Sequence, residues 1–356
     1  MFVLYFTLSF LFSLFLTALA IDLMKRFKII DSPNYKARKI HHKKIPLGGG
    51  LAIFFSFFAL TTLAFVFNKL GNEISGIHLF GLFFGGGILM IGGLLDDRFT
   101  LAPGYQIIFP IIASLVLIAS GIGPEVITNP LNNGLLRLDI WTISFGSFGN
   151  WLVLSDVIVF FWLMGMMFTT KFLDGLDGLV GGIVVIGALM ITFLSLQKQW
   201  YQPEVALLSI IFSGACLGFL VWNWHPAKIF LGEGGSVFTG FILGTLAIIS
   251  GGKIATTLLV MAVPMLDVAR VIARRMQKRQ PIYKGDNEHL HFKLLASGLS
   301  QRQAVLLLYA ISFLFGMSTL FLQSRQKLFA LLLLFILMLL IGVWFSRQEK
   351  RQAVCK

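Results

Sequence analysis

The chain has 356 residues, of which 57% are hydrophobic and 13% charged, and its formal net charge is +13. A soluble globular chain carries about twice that charged fraction, so composition excludes an ordinary soluble enzyme. Repeated apolar runs of about twenty residues mark an all-α polytopic membrane protein.

The positive charge fits inner loops facing anionic headgroups and gives no reason to expect nucleic-acid binding. Cys216 and Cys355 lie in an apolar run and in the polar tail, which suits neither a disulfide nor a two-Cys metal site. The run Met1 to Ile21 ends in Ala18-Leu-Ala20, similar to a signal-peptidase site. No Lys or Arg precedes it and a basic stretch follows, so it is read as an uncleaved first helix.

About eleven transmembrane helices are predicted, at about 1–21, 47–67, 77–95, 105–122, 155–172, 179–196, 204–222, 236–250, 254–272, 304–322 and 328–345. An odd number places the N-terminus outside and the C-terminus inside. Most of the 29 Lys and Arg then fall on the inner side, as the positive-inside bias requires. Residues 1–345 are expected to form a single transmembrane catalytic domain, and 346–356 a polar cytoplasmic tail.

The first inner loop is basic and holds Asp31-Ser-Pro33 and His41-His42. It ends in Pro46-Leu-Gly48-Gly49-Gly50 at the start of the second helix. Glycine N–H groups at a helix start can hold an anion, and a close-packed helix start explains them equally well. The third helix ends in Asp96-Asp97-Arg98, where adjacent carboxylates need a cation or a proton to offset them. The longest outer loop, 123–154, carries Asn132-Asn133-Gly134 between alternating runs, the signature of a small β-hairpin.

Lys171-Phe-Leu-Asp174-Gly-Leu-Asp177-Gly-Leu179 then sets two acids between apolar runs. Ionised groups at membrane depth are costly and usually functional. Carboxylates beside bare backbone suit a hard cation that carries phosphates. Phe230-Leu-Gly232-Glu233-Gly234-Gly235-Ser236 opens the eighth predicted helix as a second candidate metal and phosphate turn, with Ser236 as its N-cap. In the ninth, Pro264 precedes Asp267, Arg270 and Arg274 on one face. Arg274-Arg275 and Asp286-Asn-Glu288-His289-Leu-His291 follow. His289 and His291 lack the spacing of a helical zinc pair and suit contacts to phosphate better.

On this topology Asp96, Asp97, Asp174, Asp177, Glu233, Asp267, His289 and His291 all face the inner side. Acids from several segments on one face, beside basic loops, meet the needs of metal-assisted phosphoryl transfer. A transporter is the alternative, but its acids belong near the bilayer midplane.

The ordered set Asp31-Ser-Pro-Asn34 with Pro46-Leu-Gly-Gly-Gly50, Asp96-Asp97, Leu173-Asp-Gly-Leu-Asp-Gly-Leu179, the 231–236 turn and His289-Leu-His291 resembles the polyprenyl-phosphate N-acetylhexosamine-1-phosphate transferase superfamily, glycosyltransferase family 4. The resemblance implies transfer of a sugar 1-phosphate from a UDP-sugar to undecaprenyl phosphate, releasing UMP, as the initiating step of cell-envelope glycan synthesis. It implies a multi-pass plasma-membrane enzyme working on the cytoplasmic face with Mg²⁺, or Mn²⁺ as substitute. Asp96, Asp97, Asp174 and Asp177 take the catalytic positions and Glu233, Asp97 and Asp177 the metal positions. Lys171, His289, His291, Arg274 and Arg275 take the substrate positions. Membrane lipids are the surroundings, and a homodimer is left open. Members commonly have Asn at the position of Lys171 and Asp at that of Glu233, which leaves an inactive scaffold as a further alternative. The peptidoglycan-precursor enzymes' triple-His signature is absent, which favours a UDP-N-acetylhexosamine donor.

Overall fold

A computed structural model describes residues 1–33, 43–71, 74–124, 126–128, 134–144, 150–251, 254–281, 288–323, 325–338 and 340. His41-His42, Asn132-Asn133, Asp286-Asn287 and the tail 346–356 lie outside these residues.

The chain is mostly helical. In order it forms α1 (Phe2–Arg26), α2 (Gly50–Val66), α3 (Gly76–Phe99), α4 (Pro103–Gln106), α5 (Ile108–Ala119) and α6 (Val153–Leu173). It continues with α7 (Leu179–Ser195), α8 (Pro203–Asn223), α9 (Gly232–Ile249), α10 (Ile254–Gln277), α11 (Leu290–Ala296) and α12 (Gln301–Ser318), and residues 325–338 are again helical. Six of these, α1, α3, α6, α8, α9 and α10, are long and apolar enough to cross a membrane. The protein is thus a multi-pass membrane protein. Of the five other predicted spans, α2, α4 with α5, and α7 are apolar but shorter than eighteen residues. Pro103 starts the short α4, and the chain turns at Ile107 before α5, so one predicted helix is two.

Three two-stranded antiparallel pairs interrupt the helices. β1 (Ile30–Asp31) pairs with β2 (Ile45–Pro46). β3 (Val126–Thr128) pairs with β4 (Leu135–Arg137) in the register Val126 to Arg137, which brackets the predicted Asn-Asn-Gly turn. β5 (Thr142–Ser144) pairs with β6 (Asn150–Leu152) and was not expected.

α9 is the axis. It is buried along nearly its whole length and touches α2, α3, α6, α7 and α10. Between helices in lipid, small residues allow close approach and hydroxyls supply the polar contacts. α1 lies along α8 in this way, with Ser9 Oγ donating to Ile211 O (2.7 Å) and Ser13 Oγ to Ala215 O (2.6 Å). The outer face of α1 keeps Val3, Leu11 and Phe15 exposed, as a lipid-facing surface should. Gly50 and Gly235 meet where α2 crosses α9. A Cβ on Gly50 would stand 2.2 Å from Gly235 Cα, so neither helix could start here with a larger residue.

Antiparallel alternation brings particular termini together. The C-terminal ends of α3, α6 and α8 and the N-terminal ends of α2, α7 and α9 meet at one end of the bundle. That end holds every acid singled out from the sequence in these segments.

Candidate active site

The stretch 46–50 is zipped onto the segment that precedes α9. Phe230 N–H donates to Pro46 O, Gly49 N–H to Phe230 O and Gly50 N–H to Leu231 O, each at 2.9 Å. The glycine N–H groups at 49 and 50 therefore meet carbonyls, and the expectation that they bind an anion gives way to close packing. Gly232 turns with φ +79°, and a Cβ there would meet Asp97 Oδ2 at 2.5 Å. α9 begins at this glycine, four residues before the predicted cap. Ser236 lies inside the first turn, donating to Glu233 O at 3.0 Å, while Glu233 occupies the first turn where a carboxylate is favoured by the helix dipole.

Asp97 Oδ1 accepts the Glu233 N–H at 3.1 Å, which locks the end of α3 to the start of α9. Its neighbour Asp96 is buried, and its Oδ1 accepts from the Leu101 N–H (2.7 Å) and from Gln106 Nε2 (3.1 Å). Gln106 was not singled out from the sequence. It also donates to Leu101 O at 2.9 Å, and its Oε1 accepts from Lys171 Nζ at 2.8 Å. Lys171 Nζ stands 2.9 Å from Glu233 Oε2. A continuous polar chain thus runs Asp96, Gln106, Lys171, Glu233, and Glu233 returns through its backbone to Asp97. A cleft bounded by Asp96, Gln106, Lys171 and Glu233, with Phe109 and Phe168 on its apolar side, opens between α3, α5, α6 and α9.

Asp174 caps the C-terminus of α6, and its carboxylate has no hydrogen-bond donor among the described residues. Its side chain is exposed. Partial loss of solvation, then the charges of Glu233, Asp97 and Asp177, hold its carboxyl above the usual carboxylate range. Asp177 turns another way. Its Oδ2 accepts from His225 Nδ1 (2.7 Å) and from the Ala227 N–H (3.1 Å), and Arg302 donates to His225 O at 2.9 Å. Gly178, with φ +80°, starts α7, and its N–H donates to Asn223 Oδ1 at 2.9 Å. His225 and Asn223 are further residues that motif reading passed over. The Trp-Asn-Trp-His-Pro run was the signal available.

The histidine pair packs behind this turn. His289 precedes α11 and His291 lies within it, and their rings stack with centroids 5.6 Å apart. Both rings are buried. His289 Nδ1 meets Asp267 Oδ2 at 2.9 Å, and Arg270 donates to Asp267 Oδ1 at 2.7 Å. His291 Nε2 is buried without a hydrogen-bond partner among the described residues and faces Gly175, where a Cβ would stand 2.3 Å from it. Burial first, then the neighbouring His289 charge, pulls the His291 ring down to about 3, so it is neutral at ordinary pH. Arg274 Nε pairs with Glu288 Oε2 at 3.3 Å, and Arg275 is buried in the same helix.

Among the described residues, no three His, Cys, Asp or Glu side chains close around a common point that would hold a metal ion. Lys171 draws Glu233 toward Gln106, and Asp177 is committed to His225 and Ala227. The donor chemistry still suits a hard divalent cation. Asp97, Asp174 and Glu233 offer only carboxylate oxygen, and Asp174 feels the other two charges without a hydrogen bond to offset them.

A multi-pass helical bundle that gathers carboxylates, a lysine and a backbone-lined turn at one end is the class of membrane-embedded group transferases working on charged substrates. The sequence profile of glycosyl transferase family 4 matches residues 79–251. A protein of Mycolicibacterium smegmatis named decaprenyl-phosphate N-acetylglucosaminephosphotransferase is 30% identical over 311 residues, covering 80% of this chain and 73% of its own. The chain belongs to glycosyl transferase family 4. A Bacillus subtilis protein named "Probable undecaprenyl-phosphate N-acetylglucosaminyl 1-phosphate transferase" is 28% identical over 345 residues, 94% of this chain and 90% of its own. An Escherichia coli K12 protein named undecaprenyl-phosphate alpha-N-acetylglucosaminyl 1-phosphate transferase is 26% identical over 311 residues, 84% of this chain and 78% of its own. Divalent-metal dependence is general in such a family.

Proposed function

We propose that the protein transfers N-acetylglucosamine 1-phosphate from UDP-N-acetylglucosamine to a polyprenyl phosphate, undecaprenyl phosphate in the first instance, and releases UMP. The observation that carries the reading is the convergence of Asp97, Lys171, Asp174 and Glu233 on one end of the bundle beside a half-apolar cleft. Relatives that align over most of the chain bear names for this same transfer. The reaction initiates cell-envelope glycan assembly. It takes place in a plasma membrane crossed about eleven times, with the acidic end on the cytoplasmic face where the nucleotide sugar is made. Residues 1–345 act as one catalytic unit.

In the proposed reaction an oxygen of the lipid phosphate attacks the sugar-bearing phosphorus. The bond from that phosphorus to the bridging oxygen breaks, and UMP leaves with the oxygen and its electron pair. At neutral pH the lipid phosphate is already largely ionised, so a protein base adds little. Asp97, Asp174 and Glu233 would hold Mg²⁺, and Mn²⁺ in its place, which when bound offsets charge on the donor diphosphate. Lys171 sits where a phosphate oxygen entering the cleft would meet it. Asp96 holds Gln106 and the 101 turn in place. Asp177 keeps the segment before Glu233 in register through His225 and Ala227. His289 and His291 form the wall behind the 172–175 turn, and Arg274 and Arg275 bring positive charge to the nucleotide side. Phe109, Pro110 and Phe168 line the cleft toward the lipid and would receive the first isoprene unit.

The test is direct. Purified protein is incubated with radiolabelled UDP-N-acetylglucosamine, undecaprenyl phosphate and Mg²⁺, and lipid-linked radioactivity is counted. Product that requires all three supports the assignment. No product with any of a panel of UDP-sugars and polyprenyl phosphates, from folded protein, overturns it.

A further inference from the structure

Lys171 is placed between two acceptors, with Nζ 2.9 Å from Glu233 Oε2 and 2.8 Å from Gln106 Oε1. Its side chain is 17% exposed and that of Glu233 39%. The contacted oxygen Oε2 is itself buried, while the Glu233 side chain as a whole remains exposed to the cleft. Glu233 is also one of three carboxylates whose donor chemistry suits a divalent cation. An ammonium 2.9 Å from Glu233 Oε2 already offsets the charge of that carboxylate and repels a second cation brought to it.

We infer that Lys171 is an internal counter-cation that competes with a divalent cation for Glu233, with Gln106 as the acceptor that retains the ammonium when Glu233 is released. The inference rests on reading this end of the bundle as a metal-assisted phosphoryl-transfer site, and it deepens that reading by naming a device that regulates metal entry. It also accounts for why the carboxylates are present without closing around one point: Lys171 holds Glu233 on the side of Gln106. Metal binding moves Glu233 off the ammonium, and the ammonium stays in the cleft on Gln106. There it faces the space bounded by Asp96, Phe168 and Gly93, available to a phosphate oxygen. No bond is made or broken in this exchange. One cation leaves a carboxylate as another arrives, so its signature is in binding.

The experiment measures Mn²⁺ binding to the purified full chain in detergent by the electron paramagnetic resonance of free Mn²⁺, with no substrate present. Lys171→Met removes the competitor and should tighten Mn²⁺ binding about tenfold or more, the scale of one unit charge at ion-pair range discounted for the exposure of Glu233. In Glu233→Gln the same Lys171→Met change should have much less effect, because the contested carboxylate is gone. Gln106→Leu removes the second acceptor, so Lys171 holds Glu233 more firmly and Mn²⁺ binding should weaken. Equal or weaker binding in Lys171→Met, with Gln106→Leu also unchanged, overturns the proposal. Should Lys171→Met not fold, Lys171→Gln gives the same comparison, and the Gln106→Leu arm in the Lys171 background stands independently. Mg²⁺ should also raise the melting temperature of Lys171→Met more than that of the wild type, and an equal rise counts against competition. If metal binding shifts as stated but no lipid-linked product forms, the competition stands and the proposed transfer falls. If product forms but the shift is absent, the reverse holds.

Discussion

Gln106 is the sharpest place to test the polar chain, because it is a neutral residue that no motif marks. Its amide donates to Asp96 Oδ1 at 3.1 Å and to Leu101 O at 2.9 Å, and accepts from Lys171 Nζ at 2.8 Å. Gln106→Leu keeps most of the volume and removes all three contacts. Hydrogen bonds to charged partners contribute about 1.5–3 kcal/mol each when buried, and neutral ones about 1 kcal/mol. Asp96 keeps the Leu101 N–H and Lys171 keeps Glu233, so neither charge is stranded. Gln106 and Lys171 are also partly open to water. The combined loss is therefore about 2–4 kcal/mol rather than the full sum. Thermal unfolding of the detergent-solubilised protein, followed by tryptophan fluorescence, should show a clear drop in melting temperature. Transfer should fall as well, because Asp96 and Lys171 lose their common support. A variant that melts and turns over like the wild type would refute the idea that Gln106 connects the acidic pair to Lys171.

Other outcomes follow from the same geometry. Glu233→Gln should lower turnover by about two orders of magnitude, the scale of losing one preorganised electrostatic contact. Glu233→Asp should retain activity, and both are read by the radiolabelled transfer assay. Excess chelator should abolish transfer and added Mg²⁺ should restore it. Because Asp174 is held above the usual carboxylate range by its neighbours Glu233, Asp97 and Asp177, a proton competes with a cation for it. Metal affinity should therefore climb as pH rises above the usual carboxylate range, checked by Mn²⁺ titrations from acid to neutral pH. Gly175→Ala places a Cβ 2.3 Å from His291 Nε2 and should lower stability by about 1–3 kcal/mol through overpacking. Adding His291→Ala should recover part of that loss, seen as a partial return of the melting temperature.

Hydropathy and charge alone located nearly every helix of this chain, because an apolar run that must satisfy its backbone within lipid has few options but a helix. The same patterning put the acids at helix ends and, through the basic loops, on one side. The Asn-Asn-Gly signal likewise marked the hairpin that β3 and β4 form. Partner choice was another matter. Lys171 and Gln106 are 65 residues apart, Asp97 and Glu233 136 apart, and His225 and Asp177 48 apart. No local periodicity records such pairs. Each arises because antiparallel helices return their ends to one surface, where hydrogen-bond geometry then selects among several nearby donors and acceptors. The glycines show the same division. Their positions at 48–50 and 232–235 marked tight turns from sequence alone. That the N–H groups of Gly49 and Gly50 would meet the carbonyls of Phe230 and Leu231 was decided only when α2 crossed α9 at backbone contact.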